Sequence, residues 1–202
     1  MKNLISFLLL IACTGCAFVA TLPYDPAIKG NFTLTDACDP SDKTKELLSY
    51  SISSCQYGIL RQADERTNPP RIEFLRNTLA KAQLPRLSGK EIIVKKFTVY
   101  ENGRRSAHDT AVGASGGGIL GLAIASILVP GSCEQPLDKG GYTTTENPNN
   151  DGIVVLELVL SIDGKEYPVR STAIGNSNPE TLIERGFLKL ASDVTTKLAS
   201  AQ

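Results

Sequence analysis

Tryptophan is absent from this 202-residue chain, and methionine and histidine occur once each. Net charge is absent too, with 21 Lys+Arg against 21 Asp+Glu. A neutral chain exerts no long-range attraction on nucleic acid or on an anionic surface, so no nucleic-acid partner is expected. A single histidine, His108, without a cluster of Cys, Asp or Glu beside it, gives no zinc set and no imidazole-based catalysis. No metal and no cofactor is therefore expected. Five cysteines are too few to staple a chain of this length. No apolar run approaches the ~20 residues of a membrane-spanning helix. The length suits one compact domain and excludes two full ones.

Catalytic patterns are equally thin. Ser106, His108 and Asp109 are triad residue types, but neighbours on one short loop cannot converge as nucleophile, base and orienter. Gly116-Gly117-Gly118 lacks the Gly-Lys-Ser/Thr that completes a phosphate loop. Asn147, Asn149, Asn150 and Asp151 offer oxygens to calcium, yet Pro148 and Gly152 among them mark a plain turn. Lys95-Lys96 and Arg104-Arg105 read as a solvated strand end. The expectation is a protein that is not an enzyme.

What is present begins at the first residue. Lys2 supplies a positive start, residues 4–11 are almost wholly apolar, and Ala12-Cys13-Thr14-Gly15-Cys16 follows. This is the layout of an export signal, too short to be a span. With a small residue before each Cys, it resembles the signal of bacterial lipoproteins. The resemblance implies cleavage before a cysteine and acylation of its thiol, here Cys16, with Cys13 as the alternative. Two or more acyl chains give a stable anchor. Neither cysteine is followed by Asp, which by the same resemblance implies the inner leaflet of the outer membrane, facing the periplasm. Residues 1–15 are thus expected as signal peptide, 16–30 as a lipidated tether with turn signals at Pro23, Asp25 and Pro26, and 31–202 as one domain.

Periodicity divides that domain. Residues 31–35 alternate as a short strand, 36–45 read as loop, and 50–59 alternate as one strand with a slip near Ser54. A helix competes over that stretch, since Leu47, Leu48, Ser51, Ile52 and Cys55 share a helical face. Asn68-Pro69-Pro70 opens a helix whose stripe is Ile72, Leu75, Leu79 and Ala82, closed by Leu84-Pro85. Residues 92–100 are β-branched and aromatic, a strand closed by Asn102-Gly103. Residues 153–162 form a long strand with Val154, Leu156, Leu158, Leu160 and Ile162 on one face. Asp163-Gly164 is a type I′ hairpin signal leading to a return strand over 165–174, where Pro168 implies an edge. Asn178-Pro179-Glu180 caps a last helix carrying Ile183, Phe187, Leu190, Ala191, Val194 and Leu198 on one face. Gly186 inside it predicts close helix-to-sheet packing. The expected fold class is α+β, a mainly antiparallel sheet with two helices on one face, in the order β-α-β-(insert)-β-β-α. That element order is similar to small periplasmic lipoproteins of the lipopolysaccharide-assembly, YajG and transporter-auxiliary kinds.

The insert, residues 104–150, interrupts the pattern. No residue from Thr110 to Cys133 is charged, and Gly113, Gly117, Gly121 and Ala125 recur every fourth position. On a helix these make a smooth stripe that admits another backbone, resembling a glycine zipper. Left in water, Ile119, Leu120, Leu122, Ile124, Ile127 and Leu128 would be an aggregation hazard. Something covers them: the domain's own sheet, lipid, a protein partner or a second copy. The functional expectation is a lipid-anchored accessory or binding module using 111–133 as its contact. The alternative is a structural, self-associating envelope component using the Gly113/Gly117/Gly121 stripe. In an oxidising compartment Cys38, Cys55 and Cys133 allow one disulfide, with a bridge to Cys133 preferred because it would fix the end of the insert.

Overall fold

In chain order, the strands are β1 (Ala20–Thr21), β2 (Thr33–Asp36), β3 (Glu46–Tyr50), β4 (Tyr57–Arg61), β5 (Thr67–Asn68), β6 (Glu91–Asn102), β7 (Gly152–Ile162) and β8 (Lys165–Gly175). The helices are α1 (Arg71–Ala82) and α2 (Pro179–Ser200), and 3-10 turns span Pro40–Lys43, Asp64–Arg66 and Pro85–Leu87. The computed structural model describes residues 19–50, 57–102, 152–175 and 178–201.

Strand β7 organises the molecule because it is apolar at nearly every position. Val154, Leu156, Leu158 and Leu160 are fully buried on one face, and Ile153 and Val155 are buried on the other. Such a strand belongs in the middle of a sheet. It pairs antiparallel with β6 on one side and β8 on the other. Asp163 (φ 52°) and Gly164 (φ 78°) both take the left-handed backbone that a type I′ turn requires. Pro168 sits on the edge strand β8, and its carbonyl accepts from Lys197 Nζ at 2.7 Å. A residue's nitrogen and carbonyl point to the same side of a strand, so the missing N–H costs the ladder nothing.

The six-stranded sheet runs β3-β4-β6-β7-β8, with β2 lying parallel beside the first part of β6. The fold is α+β, a mixed and mostly antiparallel sheet with both helices on one face, as expected. Asn178 caps α2 by accepting from Thr181 N at 2.8 Å. Phe187 of α2 meets Phe74 of α1 edge-on (centroids 5.2 Å apart) and Phe97 of β6 at 5.9 Å. At Gly186 a Cβ would lie 2.7 Å from Leu156 Cδ1 and 3.3 Å from Val154 Cγ1. A Cβ here would have to displace the Leu156 methyl, so glycine suits the close approach of helix to sheet that its mid-helix position implied.

Three expectations change. The stretch 50–59 is not one bulged strand: β3 and β4 form an antiparallel pair, with 51–56 between them outside the described residues. Alternation looks the same in one strand as in two hairpin arms, and the slip near Ser54 falls between the arms. Strand β2 runs parallel to β6, a partnership no local pattern signals. The folded domain also begins before residue 31, within the stretch 16–30 expected as tether. Ala20 and Leu22 are buried in the core, β1 pairs with β5, and Leu22 N donates to Asn68 O at 2.8 Å. Asn77 of α1 then clamps Asp25, accepting from its N–H at 3.2 Å and donating to its carbonyl at 2.6 Å.

One buried cation joins these parts. Along one edge of β6, Val94 O accepts from Ala37 N just past β2, and Val99 O accepts from Gln62 N just past β4. Between the two partners the edge would be open. Arg71, 1% exposed, fills it: Nη1 donates to Phe97 O at 2.8 Å and to Asp42 O at 3.2 Å, and Nη2 donates to Gln62 O at 3.0 Å. Its Nε is paired with the Asp64 carboxylate, and the guanidinium stands 5.9 Å from the Phe97 ring centroid.

Candidate functional site

The apolar segment 111–133 lies outside the described residues, and with it Gly113, Gly117, Gly121, Ile119, Leu120, Leu122, Ile124, Ile127, Leu128 and Cys133. Cys13, Cys16 and Cys55 lie outside them as well. The structure does place the insert's two roots. Asn102 ends β6 and Gly152 begins β7, and these strands are antiparallel neighbours in register at Glu101↔Val154. The segment 103–151 therefore leaves and re-enters the domain at one end of the sheet, on one side of any membrane. Apolar residues are buried on both faces of that end, with Glu101 and Gln62 among them. Val154 and Ala173 are buried beneath α2, while Tyr100, Ile153 and Val155 are buried on the face that carries no described helix. Thr98, on that second face, is fully buried and its hydroxyl has no hydrogen-bond partner among the described residues.

Glu101 is a buried ionisable group at the roots. It occupies the inward phase of β6 that otherwise holds Ile92, Val94, Phe97 and Val99. Gln62 Nε2 donates to its carboxylate. Burial pushes the Glu101 carboxyl up to about 7, against the opposing pull of Arg66, Lys45 and Gln62. A raised carboxyl pKa means that the folded state holds its proton more tightly than the unfolded chain. The resulting stability is fully present below the unfolded value of 4.5 and is lost as pH rises through about 7. Denaturation measured between pH 4.5 and 8 should show wild-type stability falling by up to about 3 kcal/mol relative to Glu101→Gln. Parallel pH profiles for the two proteins would remove the assignment.

Among the cysteine candidates, Cys38 is described, and it is a free thiol. It packs against the core and donates to Val94 O at 3.6 Å. Burial, reinforced by Asp36, pushes its pKa up to about 12. The thiolate is the reactive form, so native Cys38 should alkylate at pH 8 at least about a hundredfold more slowly than a free cysteine. A rate equal to that of the denatured chain would contradict this burial.

Lys95 and Lys96 are engaged on the sheet surface, with Glu166 at 2.6 Å and Glu157 at 2.7 Å. They make a solvated ion-pair stripe, as expected. Two grooves border α1. One, about 400 Å³, runs along Lys29, Phe32, Leu79 and Leu84; the other, about 420 Å³, lies between α1 and α2. Among the described residues no cluster of three or more His, Cys, Asp or Glu could hold a metal. Among them, too, no helix is long and apolar enough to cross a membrane. Residues 113–117 spell Gly-x-Ser-x-Gly, the spacing of a nucleophile elbow, and lie outside the described residues. In that motif the acid and histidine follow the serine, whereas His108 precedes Ser115 and is the only histidine.

Sequence reasoning missed Arg71, Gln62 and Glu101. A signal existed for two of them. A cation in the first turn of a helix opposes the macrodipole, so Arg71 must have a tertiary reason to be there. An acid on the inward phase of a strand, as at Glu101, is an anomaly of the same kind. Compared with protein-family models, curated proteins and solved structures, the chain matches none of them.

Proposed function

We propose that this protein is a lipid-anchored, non-enzymatic accessory or binding module of the bacterial envelope. It faces the periplasm from the inner leaflet of the outer membrane and contacts a lipid or protein partner through residues 111–133. The observation that carries the anchor is the leader, in which Lys2 and an apolar run over 4–11 end in cysteines at 13 and 16. The contact reading is supported by the uncharged stretch 110–133 and by the apolar residues Tyr100, Ile153 and Val155 buried beside its roots. Metabolic labelling with a palmitate analogue tests the anchor. Cys16→Ser should lose the label and leave the membrane fraction. Undiminished label transfers the anchor to Cys13, and membrane retention without label overturns lipidation. The neighbouring roots allow 111–133 to be replaced by a short Gly-Ser link. That variant should keep its thermal midpoint and lose co-sedimentation with envelope lipid or protein. The second reading, self-association through Gly113, Gly117 and Gly121, rests on their four-residue spacing. It requires Gly117→Leu and Gly121→Leu to abolish cross-linked dimers, whereas the first reading leaves the oligomeric state unchanged.

A further inference from the structure

We infer that the groove between α1 and α2 rests on the phospholipid headgroups of the membrane that holds the anchor. The inference depends on acylation at Cys16, as proposed above. Three residues, 17–19, separate Cys16 from Ala20, which is 1% exposed and already paired in β1. Four Cα steps reach at most about 14 Å. A thioether-linked diacyl group holds Cys16 in the headgroup layer, which is about 5–8 Å deep on each side of the hydrocarbon. The clearance left beneath the domain is smaller than the diameter of one helix, about 10 Å. The leash therefore presses the domain onto the bilayer, and its own surface selects the side that makes contact.

Four large hydrophobic residues are exposed among the described ones: Val19 (43%), Tyr24 (43%), Leu188 (47%) and Ile174 (46%). Val19 and Tyr24 flank the segment 20–23 that leads into the groove, and Leu188 lines the groove itself with Pro23, Phe74 and Ala191. Ile174 lies on β8, opposite Ile153. Three of the four thus gather where the leash enters. Lys81 lines the same groove, where its stem can lie along apolar surface while its ammonium reaches a phosphate. Cleavage before Cys16 removes Lys2 and leaves 20 Lys+Arg against 21 Asp+Glu, so long-range attraction to an anionic bilayer does not set this contact; the leash and the apolar surface do, and its dependence on ionic strength should be weak.

Photocross-linking tests the orientation. Full-length acylated protein in vesicles of phosphatidylethanolamine and phosphatidylglycerol would carry a benzophenone side chain at Leu188 or, in a second sample, at exposed Glu166 on β8. The expected result is a phospholipid adduct several-fold stronger at 188 than at 166, at low and high salt alike. Inserting roughly twenty Gly-Ser residues between Phe18 and Val19 adds a leash of about 25 Å r.m.s.. It should lower the adduct at 188 to the level at 166 while acyl labelling is unchanged. Equal adducts at the two positions with the native leash overturn the orientation, and so does a protein adduct at 188. Acyl label that survives Cys16→Ser overturns instead the anchor reading beneath it, because a leash from Cys13 spans about 25 Å and lets the domain stand clear.

Discussion

Arg71→Met should lower the stability of the folded domain by about 3–5 kcal/mol, read as a lower denaturant midpoint at unchanged slope. The thioether chain can lie where the guanidinium stem lies, so lost volume contributes little. What is lost is the donor fork. Phe97 O, Asp42 O and Gln62 O lose their donors on an edge where neither β2 nor β4 reaches β6. The Asp64 carboxylate loses its cation as well. Unpaired buried acceptors are costlier than the bonds were favourable. Arg71→Lys keeps the charge but not the planar fork, so it should recover only part of the loss. A loss below about 1 kcal/mol for Arg71→Met would mean that the edge is closed by something other than this side chain.

Phe187→Ala should cost a similar amount, about 3–5 kcal/mol. Phe187 is fully buried and is the ring that joins both helices to the sheet, touching Phe74 and Phe97. The size of the effect depends on whether the cavity can collapse. It cannot close by moving α2 inward, because Gly186 already brings that helix against Leu156 and Val154. The upper part of the range is therefore expected, and a loss near 1 kcal/mol would show that α1 settles into the space. The two substitutions share Phe97, which Arg71 faces and Phe187 packs against. Their effects should therefore not add, and a double-mutant cycle reads the coupling directly.

Much of the fold was legible in the chain itself. A nearly continuous apolar run marks β7, period-two alternation marks β8, positive-φ chemistry at Asp163-Gly164 marks the turn between them, and Asn178 with Pro179 marks the start of α2. These signals are local: each is decided by a few neighbouring residues and a buried or solvated face. The boundary between β3 and β4 was less legible, because alternation continues through hairpin arms. The candidate contact 111–133 was visible through its missing charges alone, and its roots became definite only through the β6–β7 pairing.

The sequence by itself determined the neutral charge, the positions of the long strands and helices, and the tight contact at Gly186. Each of these follows from residue type and spacing along the chain. Tertiary structure alone decided that β2 lies parallel to β6, that residues 20–25 belong to the domain, and that Arg71 closes the edge between β2 and β4. The reason is physical. Periodicity shows which face of a segment avoids water, but a pairing partner is chosen by residues tens of positions away. Thus Asp25 finds Asn77, and Arg71 finds Phe97, only after the intervening chain has folded back. That same folding leaves only three residues, 17–19, between Cys16 and the first buried position, Ala20.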